Sequence, residues 1–159
     1  MFATDDYVFY ESGGICKIEA ILTSPLEGMP AEKLYYVVRS VHDSNGVMYV
    51  PVDNENIYLR PLLNRQGAEL IMSQIPKAIP FEEPNAKQLR NRFVEAMHTH
   101  EPMEWVRVIM TVRRRMGEKG KGVRRISETE RSFYDSAKQF LFTELSLALG
   151  AEILEAATP

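Results

Sequence analysis

The spacing of apolar residues changes near residue 63, and this change limits the chain to two kinds of structure in a fixed order. Before residue 63, short runs rich in Val, Ile and Tyr alternate with Gly, Pro and Asn turn signals, as in strands. After it, apolar residues recur at helical spacing. We therefore predict an α+β chain of two domains. A small β-barrel or bent antiparallel sheet occupies 1–62, and a compact all-helical domain of four to five helices occupies 63–159.

The predicted β domain contains four or five short strands, the clearest of which span 8–10, 15–22, 35–41 and 48–52. The polar residues Lys17 and Glu19 alternate with apolar neighbours, which indicates a strand with one face in water. Asn45-Gly46 favours a tight hairpin turn, because both residues tolerate positive φ. So small a sheet leaves its edges exposed, and an exposed edge is a place where a strand of another protein can pair.

The predicted helical domain has well-marked helix ends. Asn64 and Asn85 are suited to cap two helices, of which the first ends at residue 74 and the second near residue 97. A third helix begins with Pro102 in its first turn. The fourth begins with a capping-box pattern at Ser127-x-x-Glu130 and ends at Gly150.

Apolar stripes along these helices predict the helical core, with Lys87 and Arg90 on the opposite, solvated face of the second helix. The expected core positions are Leu89, Phe93, Ala96 and Met97 in the second helix, Met103, Val106, Ile109 and Met110 in the third, and a Tyr134–Ala148 stripe widened by Phe133, Phe140 and Leu147 in the fourth.

One segment reverses the sign of this acidic chain. Residues 113–125 hold seven basic residues and one acidic residue, a net charge of +6, whereas the whole chain carries −3 and the remainder therefore −9. Such a segment suits a polyanion, but a solvated loop between two helices has the same composition. Arg113, Arg114 and Arg115 also complement the dipole at the end of the third helix, which explains them without a ligand.

Cysteine content and hydropathy indicate the compartment. The single cysteine, Cys16, lies in an apolar run, which excludes an internal disulfide framework and fits a reducing environment. No apolar run reaches the ~18 residues that a membrane span needs. The first residues lack the basic-then-apolar order of a signal peptide. We expect a cytoplasmic protein without membrane contact.

Residues suited to catalysis or metal binding are few. His98-x-His100 needs a third ligand from elsewhere to hold a metal, and a loop between two helices explains the pair as well. The chain has no phosphate-cradling glycine motif and no serine in a nucleophile elbow. An enzyme centred on Cys16 would require an exposed, reactive thiol. We therefore expect no enzyme activity, no cofactor and no metal site.

The order of several segments resembles the CarD/CdnL family of bacterial transcription regulators. Segment 2–10 followed by 14–21 is similar to the opening of the family, and 34–38 leading into 50–52 continues the likeness. Segment 126–148 is similar to the family's last helix, with its alanine–basic pair and its Glu-Leu-x-x-Ala close. The resemblance covers both predicted domains and nearly the whole chain.

The resemblance implies that residues 1–62 form a Tudor-like domain that interacts with RNA polymerase. Family members dock this domain on the lobe of the polymerase β subunit by an edge strand, which corresponds here to 46–51 with 37–39 alongside. The residues implied for polymerase binding are Val38, Arg39, Val47, Met48, Tyr49, Val50 and Pro51.

The resemblance also implies that residues 63–159 form a helical DNA-binding domain. In the family this domain contacts the upstream edge of the promoter bubble and stabilises the open complex. We expect contacts mainly to the DNA backbone, and a monomer when the protein is free. The residues implied for DNA binding are Lys87, Arg90, Arg113, Arg114, Arg115, Lys119, Lys121, Arg124, Arg125 and Arg131.

Two positions depart from the family pattern and leave the direction of regulation open. Many members begin the second helix with a tryptophan that wedges into the minor groove, and Ala86 occupies that position here. Trp105, the only tryptophan, lies near a core stripe and is interpreted as a packing residue. Well-studied members have an arginine where this chain has Tyr49. An alternative function is a polymerase-binding adaptor whose helical domain recruits a protein without contacting DNA.

Overall fold

Strands and helices occupy separate halves of the chain. The computed structural model describes residues 1–43, 45–117 and 126–150. The chain divides into two units, Met1–Leu62, which is built of strands, and Leu63–Pro159, which is built of helices, so the predicted α+β class is confirmed. No helix within the described ranges is long and apolar enough to cross a membrane.

The first unit is a five-stranded antiparallel sheet with the strand order β4-β3-β2-β1-β5. The two outer strands pair on one side only, so the sheet is open and no barrel is formed. Each outer strand ends in a proline, which suits an edge because proline donates no ladder hydrogen bond. The strands are β1 Tyr7–Tyr10, β2 Gly14–Thr23, β3 Leu34–Ser40, β4 Met48–Pro51 and β5 Leu59–Pro61.

A β-bulge in β2 changes which residues face the core. The register passes from Ile18 opposite Val38 to Ala20 opposite Val37, so Glu19 is an extra residue. The extra residue shifts the alternation by one, and Ile21 packs against the same core as Ile18. The predicted alternation therefore holds up to Glu19 and changes phase after it. One cluster of buried core residues consists of Val8, Cys16, Ile18, Tyr36, Val38 and Val50.

The connection between β3 and β4 is longer than the sequence indicates. β3 ends at Ser40 and β4 begins at Met48, so the prediction of a tight hairpin at Asn45-Gly46 is wrong. The Asp43 carboxylate instead accepts a hydrogen bond from the amide of Asn45 at 3.1 Å, as in an Asx turn. The physical reason is that β3 stays paired with β2 as far as Ser40, beyond the last residue that pairs with β4.

The second unit contains four α-helices among the described residues: α1 Arg65–Gln74, α2 Ala86–His98, α3 Pro102–Gly117 and α4 Glu128–Leu149, with a 3-10 turn at Ile75–Lys77 after α1. The predicted N-caps Asn64, Asn85 and Ser127 are confirmed, because each side chain accepts a hydrogen bond from a first-turn amide. Ser127 and Glu130 form the predicted capping box, and Gly150, at φ +93°, ends α4.

The core face of α3 centres on Trp105, which is 0% exposed. This burial confirms that Trp105 is a packing residue. Val108 and Val112 continue the stripe and are also fully buried. Met103 and Met110, which the sequence placed in the core, are only half-buried. The true stripe lies to one side of the predicted one, because the bulky indole draws the helix face that carries it into the core.

On α4 the predicted core positions Tyr134, Ala137, Leu141 and Leu145 are buried, whereas Phe133, Phe140 and Ala148 are half-buried. The ring of Phe140 packs against Trp105 with 5.6 Å between ring centroids. Leu145 and Leu149 are buried, whereas Leu147 is 42% exposed, so its predicted core position is wrong. A residue two positions along a helix lies about 200° around its axis. Leu147 therefore faces away from the side on which Leu145 and Leu149 are buried.

Candidate functional site

No strand among the described residues pairs with the outer side of β4, so this strand is a free edge there, and its register shows which backbone groups point outwards. The amide of Val52 donates to the carbonyl of Leu34 at 3.0 Å. In an antiparallel ladder, alternate residues bond to the neighbouring strand and the others point away from it. Val50, two residues before Val52, therefore directs its amide and carbonyl towards β3. Tyr49 and Pro51 direct theirs outwards, and Pro51 has a carbonyl but no donor.

The side chains predicted to bind polymerase fall into two groups. Val38 and Val50 are 0% and 1% exposed and belong to the core, and Met48 packs against that core. These three support β4 from within. Val47 and Tyr49 are half-buried and stand beside or on the free edge. The structure thus brings the predicted residues together, but only the backbone of β4 and a few of the side chains can reach a partner.

Arg39 lies beyond the paired part of β4 and is engaged by a carboxylate. It stands opposite Lys17 in β2 and forms a hydrogen-bonded ion pair with Glu19, the extra residue of the bulge. The hydrogen bond from the Arg39 guanidinium lowers the pKa of Glu19, and the same bond raises the pKa of Arg39. A partner that uses this guanidinium must compete with Glu19 for it.

A cleft of about 210 Å³, with mostly apolar residues in its walls, opens beside the C-terminal end of β4. Its walls include Phe2, Tyr36, Pro51, Val52 and Ile57. The amide of Phe2 donates to the Tyr36 hydroxyl at 3.0 Å, and this bond fixes the N-terminal segment at the cleft. The sequence did not predict the cleft, because its walls come from separate segments that share no periodic pattern.

Four of the cations predicted to bind DNA are available in the helical unit. Lys87 and Arg90 on α2 and Arg131 on α4 are exposed, and Arg113 in α3 is half-buried. Within the part of the chain that the structure describes, no carboxylate forms an ion pair with any of the four. Lys119, Lys121, Arg124 and Arg125 lie outside the described residues.

The other two predicted cations have partners within the unit. Arg114 Nη1 lies 3.8 Å from Glu82 Oε1 on the segment before α2. Arg115 Nε lies 2.8 Å from Glu130 Oε1, and both side chains are largely buried, at 26% and 15% exposed. Glu130 also accepts the amide of Ser127 at 3.1 Å. Arg115 therefore ties the end of α3 to the capping box of α4.

The first turns of α2 and α4 meet at a cleft of about 200 Å³. Ala86, Leu89 and Phe93 line it from α2, and Thr129 and Phe133 line it from α4. Leu89 also borders a second cleft, of about 440 Å³, whose lining includes the α3 arginines 114 and 115. The start of α2, the end of α3 and the start of α4 therefore share one end of the unit, where the available cations are found.

The residues considered for catalysis have other environments. Cys16 is fully buried, and its thiol donates to the carbonyls of Gly13 and Gly14 at 3.6 and 3.5 Å. Burial raises the pKa of Cys16 to about 11, which disfavours the thiolate, the reactive form, at neutral pH. Burial also lowers the pKa of His42. The described residues include no group of three or more side chains that could hold a metal ion.

Comparison with known proteins gives one informative result. Residues 2–63 match a family model described as the CarD-like/TRCF RID domain. This match spans the sheet unit almost from end to end. No curated protein matches the chain.

Proposed function

Because this chain belongs to the CarD-like family, we propose that it regulates transcription by binding RNA polymerase and promoter DNA together. Its sheet unit is an RNA-polymerase-interacting domain. In the proposed complex, β4 pairs with a strand of the polymerase β-subunit lobe. The helical unit lies against DNA at the upstream edge of the promoter bubble and stabilises the open complex, and the protein acts as a monomer.

The free edge of β4 is the observation that carries this proposal. A strand added there gains ladder hydrogen bonds to the amide and carbonyl of Tyr49 and to the carbonyl of Pro51. The apolar cleft at the end of β4 then receives an apolar side chain of the added strand. Since Arg39 is already paired with Glu19, strand pairing and apolar contact provide most of the affinity.

DNA contact follows from the available cations at one end of the helical unit. Lys87, Arg90, Arg113 and Arg131 supply positive charge for phosphates and carry no base recognition of their own. Promoter selectivity then comes from docking on polymerase, which raises the effective concentration of the helical unit beside the bubble. Arg114 and Arg115 have mainly structural roles in this proposal, because both are paired within the unit.

A pair of proline variants tests the docking strand. Tyr49→Pro removes an outward amide and should abolish binding to the isolated β lobe while the sheet stays folded. Tyr49→Ala is the matched control, because it removes the same side chain and keeps the amide, so it should retain part of the binding. Val50→Pro should unfold the sheet instead, since it removes an inward donor and a core side chain. Wild-type binding by Tyr49→Pro would refute docking through β4.

Salt dependence tests the DNA contact. A plot of log K against log salt concentration has a slope of about −0.9 for each neutralised phosphate. The magnitude of this slope should therefore fall by about 3–4 when alanine replaces Lys87, Arg90, Arg113 and Arg131. Binding to the β lobe should be unchanged.

The internal pairing of Arg114 and Arg115 favours the alternative function, a polymerase-binding adaptor whose helical unit recruits a protein. Wild-type protein that binds no duplex DNA even at low salt would refute the DNA contact and leave that alternative.

A further inference from the structure

The cleft between α2 and α4 has the shape and chemistry of a site for a planar ring. Its volume is about 200 Å³, and a cavity of about 150 Å³ lined by apolar side chains already accepts a benzene ring. The floor is apolar: Leu89 and Phe93 are 2% and 1% exposed. Phe133 is half-buried, and its ring centroid lies 5.7 Å from that of Phe93. An aromatic ring that entered the cleft would pack on Phe133.

The rim of the cleft is polar and has no uncompensated negative charge. Arg90 lines it and is exposed, with no ion pair to any carboxylate of the described residues. Ser127 and Thr129 contribute hydroxyl groups. The carboxylate of Glu130 also lines the cleft, but Arg115 Nε at 2.8 Å neutralises it. The rim therefore tolerates a phosphate beside it and offers hydrogen-bonding groups to the edge of a ring.

From this arrangement we infer that the cleft captures one unpaired nucleobase of the nucleic acid bound by the helical unit. The base stacks on Phe133, and Arg90 contacts a neighbouring phosphate. A nucleobase fits better than an apolar protein side chain, because the exposed cation Arg90 lines the cleft and two further exposed cations, Lys87 and Arg131, are next to lining residues in the sequence. The inference rests on the proposed DNA contact and adds to it a preference for DNA that is already unpaired.

Three DNA probes test this inference with the full-length chain. They are a paired duplex, the same duplex with one bulged 2-aminopurine, and the same duplex with an abasic bulge that has equal flexibility but no base. Wild-type protein should bind the 2-aminopurine bulge about tenfold more tightly than the abasic bulge, in the range expected for stacking of one base on an aromatic side chain. The 2-aminopurine fluorescence should change on binding.

Two variants fill the cleft from opposite walls. Ala86→Leu and Thr129→Leu change exposed residues near the starts of α2 and α4, and neither residue is among the proposed phosphate contacts. Each should remove the tenfold preference and leave paired-duplex affinity within about twofold of wild type. Equal wild-type binding to both bulges, or a preference that persists in both filled variants, would overturn the inference and leave the phosphate contacts standing. No binding to any probe would overturn the DNA contact itself.

Discussion

Trp105→Ala should destabilise the helical unit more than most single substitutions. Trp105 is the only tryptophan, it is 0% exposed, and its ring packs against Phe140. Trp105 lies in the first turn of α3, and its ring packs across the helix interface against α4. Truncation to alanine should therefore leave a cavity in the packed core.

The expected loss can be worked out in two ways. A buried tryptophan removes about 150–250 Å² from water. At about 25 cal/mol per Å², this corresponds to about 4–6 kcal/mol, an upper limit because the unfolded chain already buries part of its apolar surface. Measured truncations of buried aromatic residues cost about 3–5 kcal/mol. We therefore expect the free energy of unfolding of the helical unit to fall by about 3–5 kcal/mol.

Urea unfolding followed by circular dichroism at 222 nm measures this loss, because the variant has no tryptophan fluorescence. Trp105→Phe is the matched control: it keeps an aromatic ring against Phe140 and should lose only about 1–3 kcal/mol. In wild type, the indole emission should be blue-shifted and should move to longer wavelength in the unfolding transition. A loss below about 1 kcal/mol in Trp105→Ala would refute the assignment of Trp105 to the core.

Two further predictions concern the cap of α4 and the buried thiol. Ser127→Ala should lower the free energy of unfolding of the helical unit by about 0.5–2 kcal/mol, because it removes the hydroxyl that accepts a hydrogen bond from the Glu130 amide. Ser127→Thr keeps a hydroxyl and should be close to wild type. A null effect of Ser127→Ala in calorimetry would contradict the capping box. Cys16 should resist alkylation at pH 8 until the sheet unfolds. Its folded pKa of about 11 exceeds the ordinary 9.0, so its contribution to stability should fall as pH rises through that interval. Rapid alkylation of Cys16 in the folded protein would contradict its burial. The same pH dependence of stability in Cys16→Ala would show that another group causes it.

Local chemistry made the helices predictable. Asn64, Asn85 and Ser127 each act on amides within three residues of themselves, so helix starts could be identified from short sequence windows. Core stripes were less certain, because a stripe predicted from composition can rotate by a residue when one large side chain such as Trp105 sets the packing. On α4 the central stripe stayed where it was predicted, and Leu147, which was expected to widen it, faces away.

The sheet and the candidate site depend on pairing between distant residues, which a single sequence does not reveal. The extra residue Glu19 reverses the faces of β2 after the bulge, yet it looks like an ordinary solvated position in the sequence. Arg114 and Arg115 belong to a basic run, but their partners Glu82 and Glu130 come from other segments. The family resemblance predicted the docking strand. That the Tyr49 amide points outwards could be seen only from the pairing register of β3 and β4.

The prolines that close the two outer strands also bear on self-association. Just before β5, the carbonyl of Tyr58 accepts a hydrogen bond from the amide of Glu11 at 3.2 Å. By alternation, the backbone groups of Leu59 and Pro61 point away from β1, as those of Tyr49 and Pro51 point away from β3. Each edge strand of the open sheet thus has one outward-pointing backbone amide and a proline at the position where a second would lie. Copies of this protein that met edge to edge would form only a short, interrupted ladder. We therefore expect the open sheet to resist edge-to-edge growth into fibrils at high concentration, although the edge of β4 still has an outward amide at Tyr49.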